Sequence, residues 1–439
     1  MLGLPTTATA PFCPSEVQGT IAVPTALPSW KQMLRFLGPG LLISVGYMDP
    51  GNWATDIQAG SHFGYALLSV VVLSSLAAIL LQVLSLRLGL VTERDLARVC
   101  RDEYRPWAAR TLWVFAEIAI IACDVAEVLG SALAFKLLLH VPLAYGVLLT
   151  GLDTVFVLGL KGQGFRQLEA IVLGLIATIA VCFGVELAFA QPDWMAAAKG
   201  LIPTPALFTS REMLYVGIGI LGATVMPHNL YLHSSIVQTR KPEGGRRELP
   251  MALQMATLDT TVSLLLALLV NAAILILAAA AFHHVAGGVD SIEDAYRLLA
   301  PLTGAAAAGL LFGVALFASG QSSTFTGTIA GQVILEGFLN LKIPCWQRRV
   351  ITRVLAIVPA LAGVLMLGDH AVGKMLVFTQ VVLSAQLPFA IYPLVRFTDS
   401  RRLMGVYANP RWLSLGGWAL FAGITVANVW LIAQGVGGG

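Results

Sequence analysis

Charged residues are scarce in this sequence. Asp, Glu, Lys and Arg make up 12% of its 439 residues, whereas soluble domains carry roughly 25%. Hydrophobic residues account for 57%, and the mean hydropathy is +0.80. This balance excludes a soluble globular protein and indicates an integral membrane protein that is surrounded by the lipid bilayer. The net charge of +3 is small, and we expect no nucleic-acid partner.

Several common motifs are also missing. The five cysteines are scattered, without a C-x-x-C pair or metal-ligand spacing, so we interpret them as unpaired packing residues. No N-x-S/T sequon occurs, and no Walker A motif points to ATP hydrolysis. The sequence has neither H-E-x-x-H nor G-x-S-x-G. This absence disfavours an intramembrane enzyme, and we predict no cofactor.

The first 30 residues are rich in Pro, Thr and Ala and lack a basic start followed by an apolar run. They therefore do not look like a signal peptide. We predict that residues 1–34 form a disordered cytoplasmic tail. Residues 35–439 should form a single membrane domain, because no long hydrophilic insert separates the apolar segments.

Eleven segments are apolar over about the 20 residues that a membrane-spanning helix needs. They predict an all-α integral membrane protein. The predicted spans are 38–60, 65–88, 110–137, 141–160, 168–190, 213–237, 251–282, 303–338, 350–367, 373–395 and 413–435.

Lysine and arginine are distributed unevenly over the connecting stretches. With the N-terminus in the cytoplasm, 22 of the 27 basic residues fall on the cytoplasmic side. This asymmetry obeys the positive-inside rule, and it supports an odd number of spans because one missed span would scramble the alternation. The basic residues left outside are Lys136, Lys199, Arg211, Arg297 and Lys374.

The first span contains a polar interruption, SVGYMDPGNWATD at 44–56. A carboxylate such as Asp49 costs roughly 2.5–3.5 kcal/mol at a helix centre, so it needs compensation. Pro50 and Gly51 can unwind the helix and free backbone carbonyls near residues 46 to 49. With the amide oxygen of Asn52, these groups predict an oxygen-rich cation site. The alternative is a proline kink in which Asp49 pairs with an arginine.

A second interruption, GATVMPHNLYLHSS at 222–235, lies in the sixth span. Two interrupted helices at these places predict an inverted repeat of five plus five helices, in which the broken helices meet at the midplane. The thioether of Met226 suits Mn²⁺, Fe²⁺, Co²⁺ or Cd²⁺ and offers nothing to Mg²⁺ or Ca²⁺. Alternatively, Met226 only fills the core.

Acidic residues recur on one face of the third span. Glu117, Asp124 and Glu127 fall within an arc of roughly 80° on a helix. Arg349 and Arg353, four residues apart in the ninth span, are their natural counter-charges. These groups predict a proton pathway, although a static network of ion pairs would use the same residues.

Two histidines follow the second interruption. His228 titrates near neutral pH and lies two residues after Met226, so a proton path from Asp49 or His228 through the third span is predicted. His233 is a weaker candidate that caps a helix or faces a cavity. In the tenth span, Gln380 and Gln386 offer amide oxygens to the site, with buried polar packing as the alternative.

These motifs together resemble the Nramp (natural resistance-associated macrophage protein) family. DPGN at 49–52, MPHN at 226–229 and the hydroxyl-rich stretch Gly320–Phe338 carry the resemblance, which covers about 36–434. It implies a LeuT-like fold with repeats at about 36–190 and 213–395, followed by an eleventh helix at 413–435. It further implies proton-coupled import of Mn²⁺ and Fe²⁺ in a bacterial plasma membrane, with a monomer as the functional unit.

The resemblance also assigns roles to individual residues. The implied metal ligands are Asp49, Asn52, Met226 and the carbonyl of Ala223, with a further carbonyl near Gly46. The implied proton carriers are Asp49, His228, Glu127 and Asp124, with the arginines of the ninth span as partners. Met226 matches the manganese and iron branch of the family, since magnesium and aluminium relatives lack this methionine.

The leading hypothesis is therefore a proton-coupled symporter that imports divalent transition-metal ions by alternating access. An organic-solute symporter of the same architecture, such as one for amino acids, is the alternative. There the broken helices would bind a substrate carboxylate, which an anionic Asp49 opposes. A channel would differ by fast, ohmic current in place of slow, saturable flux.

Overall fold

The computed structural model describes residues 18–19, 21–23, 29–152, 165–242, 245–285, 288–303, 307–340 and 345–437. Within them the chain is almost entirely helical, as predicted. The first half contains β1 (Ile21–Val23), α1 (Ser29–Phe36), α2 (Pro39–Gly46), α3 (Pro50–Phe63), α4 (Leu68–Thr92), α5 (Leu96–Glu103), α6 (Pro106–Leu139), α7 (Leu143–Leu149), α8 (Phe165–Ala190), α9 (Trp194–Lys199) and α10 (Ala206–Thr209).

The second half contains α11 (Arg211–Thr224), α12 (Pro227–Ile236), β2 (Arg240–Pro242), α13 (Leu249–Phe282), α14 (Ile292–Thr303), α15 (Ala308–Leu339), α16 (Cys345–Leu367), α17 (Val372–Asp399), α18 (Arg401–Met404) and α19 (Arg411–Gly437). Short 3-10 turns lie at Val237–Thr239, Gly245–Glu248, Asp369–Ala371 and Gly405–Tyr407.

Nine helical stretches of the described residues are long and apolar enough to cross a membrane. The other two predicted spans are the interrupted first segment, with its short halves α2 and α3, and the fourth. Residues 153–160 of the fourth lie outside the described residues. The count of eleven and the cytoplasmic N-terminus therefore stay predictions, as do the boundaries of the single domain and its two repeats.

Both predicted interruptions are confirmed. The first span divides into α2 and α3 around residues 47–49, and the sixth into α11 and α12 around residues 225–226. In each case the second half-helix begins with a proline, Pro50 or Pro227. Proline suits this position because its missing N–H would find no partner in the first turn of a helix.

Other boundaries differ from the predictions. The predicted eighth span, 303–338, begins only at Ala308, because α14 occupies Ile292–Thr303 as a separate amphipathic helix. In the predicted disordered tail, β1 pairs in parallel with β2, and α1 begins at Ser29. For those stretches the expectation of disorder is wrong, since backbone pairing with a distant segment is not visible in local composition. Residues 1–17, 20 and 24–28 lie outside the described residues.

The interrupted helices lie at the centre of the bundle. α3 packs against α13, α11, α17 and α6, and every residue of α12 is buried. Small residues allow close approach between helices. A Cβ atom at Gly40 would lie 2.7 Å from the backbone of Thr260, so α2 and α13 are in backbone contact. This arrangement places the polar interruptions where lipid cannot reach them.

Candidate functional site

Asp49 is the N-cap of α3. Its backbone is extended (φ −70°, ψ 166°), and its Oδ1 accepts a hydrogen bond of 2.8 Å from the backbone N–H of Asn52. The capped proline start explains why the helix resumes at Pro50. Asp49 is fully buried, and its Oδ2 has no hydrogen-bond partner among the described residues. One carboxylate oxygen is thus held in place, and the other is available to a cation.

Met226 occupies the same position in the second interruption. It is the N-cap of α12, with φ −75° and ψ 121°, and its side chain makes no capping bond. The side chain is fully buried and packs against Ala119, Cys123 and Leu383. The thioether also lies 3.7 Å from the Nδ2 of Asn229, a weak contact.

The side chain of Asn52 joins the two interruptions. Its Nδ2 lies 2.7 Å from Oδ1 of Asp49 and 3.1 Å from the carbonyl oxygen of Ala223. An amide turned by 180° presents its oxygen to the same point. Three of the ligands that the sequence predicts, from two helices 171 residues apart, therefore converge.

Two of the carbonyls at the first interruption are not bare, contrary to the expectation from sequence. Asn271 donates to the Tyr47 carbonyl at 2.8 Å, and Ser319 donates to the Met48 carbonyl at 2.5 Å. The indole of Trp53 also donates to the Met48 carbonyl, at 3.2 Å. Buried carbonyls need partners, and side chains of α13 and α15 provide them here. The sequence pattern predicted neither of these roles, for Asn271 or for Ser319.

Gly46 and Gln380 are both brought to the interruptions. A Cβ atom at Gly46 would collide with the amide of Asn229, so this amide lies between α2 and Met226. Gln380 lies against Gly51 through its side-chain amide and against Gly222 through its backbone carbonyl. Its Oε1 has no hydrogen-bond partner among the described residues.

Two of the predicted acidic groups of α6, Glu127 and Asp124, lie together near the predicted metal ligand Asp49. Glu127 is buried and interacts electrostatically with Asp124, Arg353 and Asp49. A Cβ atom at Gly327 of α15 would lie 2.9 Å from Oε1 of Glu127 and 3.0 Å from Oδ1 of Asp124. The glycine therefore leaves the space that both carboxyl groups occupy.

Cys123 connects His228 to Glu127. Its sulfur lies 3.6 Å from Nε2 of His228 and 3.7 Å from Oε1 of Glu127. The sequence favoured a packing role for this cysteine, but the structure places it between two residues of the predicted proton pathway. The only signal in the sequence was its spacing of four residues from Glu127 on one helix.

The structure describes the side chain of Arg353 but not that of Arg349. Arg353 is buried in α16, and its Nη2 lies 3.4 Å from the hydroxyl of Thr324. It interacts electrostatically with Glu127, as the predicted counter-charge. Arg349 lies on the same helix, but its side chain lies outside the described residues.

Glu117 and His233 do not join this group. Glu117 lies about two helical turns from Asp124, where the indole of Trp113 donates to it at 3.0 Å. His233 is buried in a separate hydrogen-bond network. Its Nδ1 lies 2.8 Å from Oε1 of Gln82, whose Nε2 donates to the hydroxyl of Tyr47 at 2.8 Å.

The described residues contain no group of three or more His, Cys, Asp or Glu side chains that could hold a metal ion. The site at the interruptions differs in kind, because it combines one carboxylate with amide, carbonyl and thioether groups. Such a mixture binds a divalent cation less tightly than a cluster of anionic ligands, which suits reversible binding.

The chain is similar to known proteins in both sequence and structure. The sequence model of the Nramp family, described as natural resistance-associated macrophage protein-like, matches residues 40–434. A Ralstonia nicotianae protein named divalent metal cation transporter MntH is 64% identical over 99% of both chains. A crystal structure of a manganese transporter mutant from Eremococcus coleocola matches with a TM-score of 0.88 and 39% identity, over 96% of this chain and 92% of that one.

A transporter of the nucleobase-cation-symport-1 family matches with a TM-score of 0.58 over 91% of this chain and 93% of its own, at 14% identity. This likeness shows the fold alone, which is LeuT-like. The apolar helices and the bacterial relatives place the chain in the bacterial plasma membrane as a multi-pass protein. By its sequence and its structure, the chain belongs to the Nramp family.

Proposed function

We propose that this protein is a proton-coupled symporter that imports divalent transition-metal ions, Mn²⁺ and Fe²⁺ and also Co²⁺ and Cd²⁺. The observation that carries the proposal is the bridge that Asn52 makes between Asp49 and the Ala223 carbonyl. The relatives named as a divalent metal cation transporter and a manganese transporter support the same substrate class.

The ligand set accounts for the choice of metal. Asp49, Asn52 and the Ala223 carbonyl supply oxygen ligands, which any divalent cation accepts. Met226 adds a soft sulfur ligand, which favours Mn²⁺, Fe²⁺ and Cd²⁺ over the alkaline earths. An organic-solute symporter needs a site for a substrate carboxylate, which the buried carboxylate of Asp49 would repel.

Protons would leave the site through α6. Asp49 interacts electrostatically with Glu127, and the Cys123 thiol lies between Glu127 and His228. From Glu127 the proton would pass to Asp124, with Arg353 stabilising the ionised carboxyl group. Because this route begins beside the proposed metal ligands and continues through α6, the proton and the metal would follow different routes to the cytoplasm.

The membrane potential can drive this import without ATP. One proton and one divalent cation carry three charges inward, which is worth roughly 7 kcal/mol per 100 mV. Binding of the metal across both interruptions would favour closure of the outer route and opening of the inner one.

Uptake of Mn²⁺ into proteoliposomes tests the proposal, with and without excess Mg²⁺ and Ca²⁺. We compare wild type with Met226→Ala and with Met213→Ala, a buried methionine of α11 that packs in another cluster. We expect uptake by wild type and Met213→Ala to resist the alkaline earths, and Met226→Ala to become sensitive to them.

Two results would contradict the proposal. If Met226→Ala behaves like Met213→Ala, the thioether is a packing group and the metal assignment fails. If wild type takes up no Mn²⁺ but accumulates amino acids, the organic-solute alternative replaces it.

A further inference from the structure

An aromatic groove lies on the outer face of the bundle, between the start of α6, the middle of α17 and α19. Its volume is about 470 Å³. Tyr104, Trp107, Phe115, Phe389, Tyr392 and Phe421 contribute most of its aromatic surface. None of these residues belongs to the metal site or the proposed proton route.

Prolines in α17 shape this groove. Pro388 and Pro393 lie inside the helix, where each removes a backbone hydrogen bond. The freed Ser384 carbonyl accepts a hydrogen bond of 3.1 Å from Asn428 of α19. The rings of Phe115 and Phe389 stack with their centroids 4.3 Å apart and tie α6 to α17. Contacts of α17 with α6 and α19 therefore hold the walls of the groove in place.

The groove opens toward the bilayer. Trp107 is 66% exposed and Phe389 is 40% exposed, although both line it. From Trp107 to Phe115 the helix rises about 12 Å, which is less than the roughly 15 Å of hydrocarbon in one leaflet. An apolar groove at this depth favours a lipid chain as its occupant, because neither water nor an empty space is favourable there.

The mouth of the groove is basic. The guanidinium of Arg396 lies over the rings of Tyr104 and Tyr392, at 5.5 and 6.0 Å from their centroids. Arg105, next to Tyr104 in the chain, is exposed. Neither arginine has a carboxylate partner within the described residues. The neighbouring Glu103 is paired with a different arginine, Arg402.

We propose that this groove binds an anionic phospholipid of the arginine-rich leaflet. An acyl chain lies along the aromatic surface, and the phosphate receives charge-assisted hydrogen bonds from Arg396 and Arg105. The positive-inside rule assigns this end of the bundle to the cytoplasmic leaflet, whose anionic lipids match the charge of the mouth. A zwitterionic lipid fits the same groove but gains less, because its own ammonium group competes with the arginines.

Native mass spectrometry of the full-length detergent-solubilised protein tests this proposal. The probes are phosphatidylglycerol and phosphatidylcholine with identical acyl chains, offered at equal concentration. We expect wild type to retain phosphatidylglycerol preferentially. Arg396→Gln should reduce this preference about fivefold, since a juxtamembrane arginine contributes roughly 1 kcal/mol toward anionic lipid. The matched control is Arg401→Gln, an exposed arginine at the same end that contacts neither tyrosine among the described residues.

A second variant tests the groove without the charge. Trp107→Ala removes an exposed aromatic side chain and should lower retention of both lipids. Equal retention of the two lipids by wild type would overturn the proposal, as would an unchanged preference in Arg396→Gln. Because the readout is lipid retention and not metal uptake, the result is independent of the proposed transport function.

Discussion

The Nδ2 atom of Asn52 lies 3.1 Å from the carbonyl oxygen of Ala223. One residue follows the interruption of the first span, and the other precedes the interruption of the sixth. The two interruptions meet at this contact. Oδ1 of Asp49 lies at the same place, 2.7 Å from the Nδ2 of Asn52. A divalent cation bound here would take the place of this amide bridge, with the Ala223 carbonyl and the unpartnered Oδ2 of Asp49 among its ligands.

Loss of the Asn52 side chain should weaken metal binding. We expect Asn52→Ala to raise the KM for Mn²⁺ at least about tenfold, because the variant removes a proposed ligand, and even the loss of a group that only supports a ligand typically costs about 10- to 100-fold in metal affinity. Uptake into proteoliposomes at several Mn²⁺ concentrations measures the effect. Asn428→Ala is the matched control, since among the described residues its buried amide bonds only to the Ser384 and Ile424 carbonyls. Equal KM values for the two variants would contradict the assignment of Asn52.

A methyl group at Gly327 should disturb proton transfer more than metal binding. In Gly327→Ala the new Cβ lies 2.9 Å from Glu127 and 3.0 Å from Asp124, so the carboxyl groups must move. Such overpacking typically costs about 1–3 kcal/mol. We expect Mn²⁺ to bind with unchanged affinity while proton entry, followed with a pH-sensitive dye inside the liposomes, falls.

The control for this prediction is Gly309→Ala on the same helix. Its new Cβ would lie 3.6 Å from the nearest atoms, an ordinary contact. Proton entry should match wild type in this variant. If both glycine variants retain proton entry, the space beside Glu127 and Asp124 does not matter for coupling.

Gly51 and Gln380 should behave as a coupled pair. A Cβ atom at Gly51 overlaps the amide of Gln380, so Gly51→Ala should push this buried side chain against its neighbours and impair Mn²⁺ uptake. Gln380→Ala removes the overlapping atoms. We expect the double variant to transport better than Gly51→Ala alone, and as well as Gln380→Ala. If the losses of uptake in the two single variants add up in the double variant, the two positions are not in contact, because the effects of independent sites are additive.

Asp95 should make the stability of the protein depend on pH. It caps α5 by accepting from the backbone N–H of Arg98 at 2.9 Å. Burial raises the pKa of Asp95 from 3.8 to about 6. The folded state therefore holds the proton more tightly than the unfolded state. The stability that this proton contributes is complete below pH about 4 and is lost as the pH rises through about 6.

Asp95→Asn keeps a good capping side chain and removes the titration. We expect the melting temperature in detergent to fall less between pH 4.5 and 7 than in wild type, because the variant lacks a contribution to the free energy of unfolding that changes by about 2 kcal/mol over this range. Asp193→Asn, which changes an exposed N-cap aspartate, should keep the wild-type pH dependence. An unchanged pH dependence in Asp95→Asn would show that Asp95 does not control it.

Local chemistry explains what could be predicted from the sequence. The scarcity of charge identifies a membrane protein, because a charged side chain is costly in hydrocarbon wherever it lies. Pro50, Gly51 and Pro227 interrupt helices through their own backbones, so both interruptions were predictable. Each effect acts within a few residues of its cause.

The arrangement of the acidic residues shows the limit of this reasoning. Glu117, Asp124 and Glu127 share a helical face, as the spacing predicts, yet Glu117 lies about two turns away from the other two along the axis. A helical wheel gives the direction of a side chain but not the neighbours that it meets. The same limit explains why His233 was not separated from the proton route.

The sequence by itself determined the membrane-embedded class, the two interruptions and the chemical types of the ligands. Only the tertiary structure decided which groups meet at the site: Asn52 with the Ala223 carbonyl, Asn271 and Ser319 with the carbonyls of the first interruption, and Cys123 with His228. These partners are separated by 105 to 271 residues. Their contacts arise from helix packing, which depends on the shape of whole helix surfaces and leaves no local pattern in the chain.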